Sequence, residues 1–334
     1  MNFRTKQYLR KRFGDYYKTS ELTLPPELTR REWGFIFFDD LPEVVMRRHN
    51  AFSSQNEALD YLKGMTPAHV YHSAAYYQFP GAATMKEKQW QGADLIFDLD
   101  ADHLPPDVRG KSYKEMLDAV KAETVKLLDF LLEDFGFSED NVSIVFSGGR
   151  GYHIHVRDPK VFSLESAERR EIVDYVSGIG FDYDSVLYKR KTKWKVYDGI
   201  KHHPMAHETM YEMAEMSTWG KRVAKETIKF LDKIRLLEFE QGFEELKKIE
   251  GITTSNAKKL IKKLQSFGSS DELSQTISEE GLDTKSMQPV RLYIIKNMGA
   301  HVEGKTDEPV TADVKRLIRM PSSLHGGSGM RVVP

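Results

Sequence analysis

The chain has 334 residues, 40% hydrophobic and 30% charged, with a formal net charge of -1. That length suffices for a sizeable core in one large domain or two, and the balanced charge gives no bulk attraction to a polyanion, which only local basic patches can hold. There is no cysteine, so disulfides and thiolate-held zinc or iron–sulfur centres are excluded.

The N-terminal MNFRTKQYLRKRFGDYY is basic but lacks the apolar core of a secretory signal. No apolar run approaches the roughly 18 residues that span a membrane, so a soluble, intracellular protein is expected. Residues 1–20 read as a helix, broken by Pro25 and Pro26. Trp33-Gly34-Phe35-Ile36-Phe37-Phe38 reads as a strand. Ala93-Asp94-Leu95-Ile96-Phe97-Asp98-Leu99-Asp100 reads as a second, closed by the polar, proline-bearing stretch after it. A long helix follows. Ser112 and Glu115 fit a capping box, Met116, Val120, Leu127, Leu128 and Leu131 recur at helical spacing, and Gly136 is a natural stop. Val142–Phe146, then Ser147-Gly148-Gly149-Arg150-Gly151, then Tyr152–Val156 read as strand, glycine loop and strand, with another helix over 164–177. From Met205 to about Gly281 the pattern is helical and rich in lysine and glutamate. Strand-like and loop segments return at Val290–Val302 and run to the end. This order predicts an α+β body, a mixed sheet flanked by helices, interrupted by a smaller all-helical insert. The expected boundaries are 1–200 and 290–334 for the discontinuous body and 205–285 for the insert.

Three constellations carry chemistry. In a strand alternate side chains share a face, so Asp98 and Asp100 point the same way. Two carboxylates that close repel each other, and a magnesium or manganese ion between them removes the repulsion and bridges to phosphates; the plain alternative is two solvated aspartates at a strand end. In Ser147-Gly148-Gly149-Arg150-Gly151-Tyr152-His153 the glycines let backbone amides approach a phosphate. Arg150 can grip its oxygens bidentately, and His153 can donate to it; an ordinary glycine hairpin is the alternative. His155 shares a face with His153 and reads as a structural histidine. The third stretch runs from Asp307 and Glu308 through Asp313 and Lys315-Arg316-Leu317-Ile318-Arg319 to Pro321-Ser322-Ser323-Leu324-His325-Gly326-Gly327. It supplies carboxylates, cations and a histidine, the groups a metal–triphosphate site needs, and a charged surface segment would look similar.

In order and spacing, Phe97-Asp98-Leu99-Asp100, Ser147-Gly148-Gly149-Arg150-Gly151-Tyr152-His153 and the Lys315–His325 segment resemble the three motifs of the archaeal/eukaryotic DNA primase small (catalytic) subunit. The likeness covers roughly 1–200 and 290–334. It implies a DNA primase, a nucleotidyltransferase that makes short RNA or DNA primers from nucleoside triphosphates on a single-stranded DNA template by a two-metal reaction. By resemblance, Asp98, Asp100 and Asp307 are the catalytic, metal-binding carboxylates for Mg2+ or Mn2+, with Asp313 the competitor for the third place. Ser147, Arg150, His153, Arg319 and His325 are the nucleotide-binding residues. Glu32 and Arg48 resemble residues near the family's active site. The implied partner is the primase large subunit in a heterodimer, and the implied location is the cytoplasm of an archaeon or the nucleus of a eukaryote. Family members often carry a cysteine- and histidine-based zinc site after the first motif; with no cysteine here, none is expected, and His202, His203 and His207 read as a polar linker. Family chains also commonly continue beyond the point matching Pro334, so a longer natural chain is expected. A stand-alone primase-polymerase of the same superfamily and a metal-dependent glycosyltransferase are the alternative readings. For the template, Tyr188–Tyr197 interleaves cations with aromatics, and Lys248–Leu260 has the pattern of a helix–hairpin–helix turn; each also fits a plain solvated surface.

Overall fold

The computed structural model describes residues 2–103, 112–180, 187–190, 195–197, 200–202, 210–213, 218–279, 284–299 and 310–334. The chain divides into two compact units, residues 1–177 with 300–334 and residues 178–299. Among the described residues no helix is long and apolar enough to cross a membrane.

In the first unit the elements run α1 (Phe3–Thr19), β1 (Trp33–Ile36), β2 (Arg47–Asn50), α2 (Gln55–Met65), β3 (His69–Ser73), β4 (Ala75–Tyr77), α3 (Met85–Lys88), β5 (Trp90–Ala93), β6 (Leu95–Asp100), α4 (Tyr113–Asp129), β7 (Val142–Phe146), β8 (Gly151–Val156), α5 (Pro159–Phe162) and α6 (Ser166–Ser177). In the second they are β9 (Leu187–Arg190), β10 (Lys195–Tyr197), β11 (Ile200–His202), β12 (Met210–Met213), α7 (Thr218–Leu236), α8 (Phe239–Lys247), α9 (Thr254–Gln265), α10 (Ser270–Glu279) and α11 (Thr284–Met298). The last strand, β13 (Leu317–Arg319), belongs to the first unit. The fold is α+β, as expected, but its described sheets are antiparallel and not mixed.

Two sheets organise the first unit. One has the order β13-β3-β1-β2, the other β6-β8-β7, and every pairing in them is antiparallel. The first sheet carries the main aromatic core, in which Trp33, Phe35 and Val70 pack with Phe13 and Tyr17 of α1 and Leu62 of α2. Met320 and Leu324, from the far end of the sequence, join the same cluster. Burying those two side chains contributes roughly 3–6 kcal/mol together, enough to hold the returning segment in place. Hydrogen bonds fix its register. Tyr16 Oη donates to the Ser322 carbonyl at 2.7 Å, and the Leu324 N–H donates to Tyr17 Oη at 3.3 Å.

The expected strand over 93–100 is divided at Asp94. Ala93 closes β5, Leu95 opens β6, and Asp94 turns its carboxylate into the protein, 2.8 Å from Arg31 Nη2. Arg31 and Asp94 are both buried, and Tyr76 Oη donates to the other carboxylate oxygen at 2.6 Å. Arg169 of α6 donates to the carbonyls of Ala93 and Asp94 at 2.9 and 2.7 Å, pinning the turn. The sequence pattern showed an apolar run and not the buried cations that bend it. Likewise the strand expected over 33–38 ends at Ile36, and Phe38 opens a 3-10 turn.

The expected helical insert is wider than 205–285 and not all-helical. Its unit contains two antiparallel strand pairs, β9 with β12 and β10 with β11. The strand-like stretch expected from Val290 is α11 instead. Met287, Val290, Ile294 and Met298 are buried at helical spacing, so burial on one stripe overrides the β preference of its valine and isoleucines. The capping box at Ser112 is present, with Ser112 Oγ accepting from Glu115 N–H and Glu115 reaching back. The hairpin between α8 and α9 holds the Lys248–Leu260 pattern, with Ile249, Ala257 and Leu260 buried. Of the template segment Tyr188–Tyr197, residues 191–194 lie outside the described residues, as do His203 and His207.

Replacing Arg31 by Met removes the fully buried cation that faces Asp94 and leaves the carboxylate only Tyr76 and the more distant Arg157 Nε, at 3.4 Å. Breaking a buried pair in this way costs about 3–5 kcal/mol. Urea unfolding of Arg31→Met is expected to show a loss of that size, with the unfolding slope unchanged.

Candidate active site

The β6–β8 pairing builds the floor of a cleft in the first unit. Its register sets Asp98 opposite His153 and Asp100 opposite Gly151, so the first two constellations of the sequence meet across one ladder. Gly151 allows this. A Cβ placed there would lie 2.0 Å from the Leu99 carbonyl oxygen and 2.9 Å from Asp100 Cα. Both are backbone atoms that cannot swing aside. Ser147 N–H donates to the Gly151 carbonyl at 3.0 Å and Ser147 Oγ accepts from Gly149 N–H at 3.3 Å, which closes the loop between β7 and β8.

The returning C-terminal segment forms the opposing wall. β13 pairs with β3, and Val333 bridges to Phe146 beside the glycine loop. Ser328 Oγ donates to the Gly148 carbonyl at 2.5 Å. The resulting cleft, about 450 Å3, is lined by Asp98, Asp100, Ser147, Arg150, His153, Arg319 and His325, with Tyr113, Gly149, Gly327, Ser328 and Met330 completing the wall. Seven residues singled out in the sequence, from three segments far apart in the chain, thus face one space.

Their electrostatics differ. His153 is buried, with Nε2 3.4 Å from Asp98 Oδ1. Burial pushes its pKa down and outweighs the raising effect of Asp98, so the ring is held toward the neutral form. Arg150 pairs with Asp102 and lies 3.6 Å from Asp100 Oδ1, so its charge is partly matched by carboxylates. His325 accepts from the N–H groups of Gly327 and Ser328 on Nδ1, both at 3.1 Å. A ring accepting there is neutral with its proton on Nε2, which makes that nitrogen a donor. Burial, then Arg319, lowers its pKa to about 4, consistent with a neutral donor at neutral pH.

Asp307, the expected third carboxylate, lies outside the described residues. Asp313 does not line this cleft. It borders a separate small pocket with Asp94, Arg169 and Arg316. Buried Glu32 and partly exposed Arg48 form a bidentate pair at 3.0 and 3.1 Å, and neither lines the cleft. His155 is fully buried and is likewise outside the cleft wall. The sequence reading missed Tyr113, whose hydroxyl donates to the Gly149 carbonyl at 2.8 Å from the first turn of α4. It also missed His69, whose Nδ1 lies 2.6 Å from Arg319 Nη1. Tyr113 directly follows the Ser112 cap, a local cue; His69 has none, because its partner is 250 residues away.

The donor set suits a hard divalent cation. Asp98 and Asp100 share a strand face, and both carboxylates are partly open to the cleft, at 22% and 30% exposure. Two carboxylates completed by substrate phosphates and water are a common way to hold magnesium. Among the described residues, no three histidine or acidic side chains cluster as a closed metal cage.

The model of one protein family, the DNA primase small subunit, matches residues 97–334. The chain belongs to that family. Among its relatives, the DNA primase small subunit PriS of Methanosarcina barkeri is 47% identical over 347 residues, covering 99% of this chain and 81% of the relative. That of Methanococcoides burtonii is 45% identical, covering 99% and 82%, and that of Methanocella arvoryzae 46%, covering 100% and 83%. The primase match begins at Phe97, on the strand that carries the carboxylate pair.

The close approach at Gly151 gives a direct test of the floor. In Gly151→Ala the added methyl must part β6 from β8 at Asp100, an overpacking that costs about 1–3 kcal/mol. The melting temperature is expected to fall, and nucleotide incorporation by the still-folded fraction to drop more than about tenfold.

Proposed function

We propose that the chain is the catalytic subunit of a DNA primase and joins nucleoside triphosphates into short RNA or DNA primers on a single-stranded DNA template. One observation carries this reading: a carboxylate pair and the side chains Ser147, Arg150, His153, Arg319 and His325, here proposed to bind the nucleotide, face the same cleft. Carboxylates with cationic and neutral donors around one cleft match a substrate that is a metal-bound polyphosphate.

Asp98, Asp100 and Asp307 are the proposed holders of two magnesium or manganese ions. When bound, such ions lower the pKa of an attacking 3′-hydroxyl and neutralise charge on the triphosphate and departing pyrophosphate. The protein's own groups do the positioning. Arg150 exchanges its carboxylate partners for phosphate oxygens. The Ser147 hydroxyl and the loop amides face the same oxygens. His325 donates from Nε2, and Arg319 supplies a second guanidinium from the other wall. His153, with Nε2 beside Asp98, orients that carboxylate. None of these groups needs to change its covalent state, so their contribution is alignment and charge stabilisation.

Membership of a small-subunit family supports a heterodimer with a primase large subunit, and a stand-alone primase-polymerase would initiate primers without one. Primer synthesis is measured on a single-stranded template with ribonucleoside triphosphates and either metal. The double variant Asp98→Ala, Asp100→Ala is expected to lose more than about a hundredfold in rate. Near-normal synthesis would refute the assignment. Asp307→Asn is expected to share the loss and Asp313→Asn to retain activity, and the reverse pattern would move the third carboxylate to Asp313.

A further inference from the structure

Two arginines enter the cleft, and they are seated differently. Arg150 rests against Asp102 and Asp100. Among the described residues, the partners of Arg319 are uncharged. Its Nη1 donates to His69 Nδ1 at 2.6 Å, and its guanidinium carbon lies 4.9 Å from the centre of the Tyr71 ring. The backbone explains the arrangement. Arg319 of β13 sits opposite Tyr71 of β3, and His69 is two residues along β3. In a strand, residues two apart share a face, so all three side chains project together. The His69 and Tyr71 rings are nearly parallel, 18° apart at 6.2 Å, and His69 meets the His325 ring edge-on at 5.2 Å.

We propose that His69, with Tyr71, is a positioning residue that seats Arg319 as an undischarged cation for the triphosphate, and orients His325 beside it. The inference rests on the reading of the cleft as a nucleotide site. An arginine has no acceptor, so His69 must accept on Nδ1 and must be neutral. A carboxylate in that place would hold the guanidinium equally well and cancel its charge. A neutral imidazole and an aromatic face orient it and leave the charge available to an anion. The packing around His69 supports a fixed seat. Gly326 lies so close that a Cβ there would be 2.6 Å from His69 Nε2 and 2.8 Å from the Ala68 carbonyl oxygen. The ring is thus wedged between Arg319, His325 and the glycine turn that follows His325. Burial, then the charge of Arg319, depresses its pKa to about 3, so the seat keeps its acceptor across the physiological range.

The test is steady-state incorporation by the full chain against nucleoside triphosphate concentration, for His69→Phe, His69→Asn, Arg319→Ala and the double variant His69→Phe, Arg319→Ala. Losing a charge-assisted hydrogen bond that aims a guanidinium is expected to raise KM about tenfold in His69→Phe, with kcat within about twofold. His69→Asn keeps an acceptor near the Nδ1 position and is expected to recover most of the loss. Arg319→Ala is expected to raise KM at least as much, with His69→Phe adding nothing to it. Equilibrium binding of inorganic triphosphate, measured by calorimetry without divalent metal, is expected to rank the variants in the same order. A wild-type KM in His69→Phe alongside a raised KM in Arg319→Ala would overturn the inference and leave the nucleotide site standing. An unchanged KM in Arg319→Ala would remove both. Equal losses in the Phe and Asn variants, tracking melting temperature, would make His69 a packing residue only and also overturn the proposal.

Discussion

The antiparallel ladder between β6 and β8 is the contact on which the site depends. Its register puts Asp98 against His153 and Asp100 against Gly151. A slip by one residue would turn the carboxylates to the other face and separate them from the glycine loop. Two features hold the register. Gly151 admits the Leu99 carbonyl where no other residue fits, and the buried Arg31–Asp94 pair with Arg169 fixes where β6 begins. The second of these lies at the far end of the strand from the carboxylates, so a structural ion pair sets the origin from which the Asp98–Asp100 pair is measured.

The opposing wall depends on a long-range closure. Arg319 and His325 are far from Asp98 in sequence, and they reach the cleft because Met320 and Leu324 are anchored in the α1–α2 core and β13 adds to β3. The hydroxyls of Tyr16 and Tyr17 bind backbone groups of that segment. Core and site are therefore coupled: the residues that bury the end of the chain are the neighbours of those that face the cleft. His69 and Tyr71 belong to the same coupling, since the strand that receives β13 also seats its arginine.

Much of this was legible in the sequence where the signal was local. The alternation of Asp98 and Asp100, the Ser147–Gly151 loop between two strands and the Ser112 capping box each depend on a few adjacent residues. The misses arose where distant partners decide. The break at Asp94 is made by Arg31 and Arg169, which an apolar run does not announce. The helix over 284–298 carries Val290 and the adjacent Ile294 and Ile295, which read as strand, and its burial stripe marks it as helical. The strand pairs in the second unit lie in a basic, aromatic stretch where charge obscured the alternation. His69 left no pattern at all, because its meaning comes from a strand pairing near the chain's other end.

The most direct test of the central claim is a crystal structure of the protein with manganese and a non-hydrolysable ribonucleoside triphosphate. The account predicts manganese between Asp98 and Asp100, with Asp307 as a further ligand. It also predicts that the phosphates lie within hydrogen-bond reach of Ser147, Arg150, Arg319 and His325. A nucleotide bound elsewhere on the chain, or phosphates in the cleft with no metal at the aspartate pair, would contradict it.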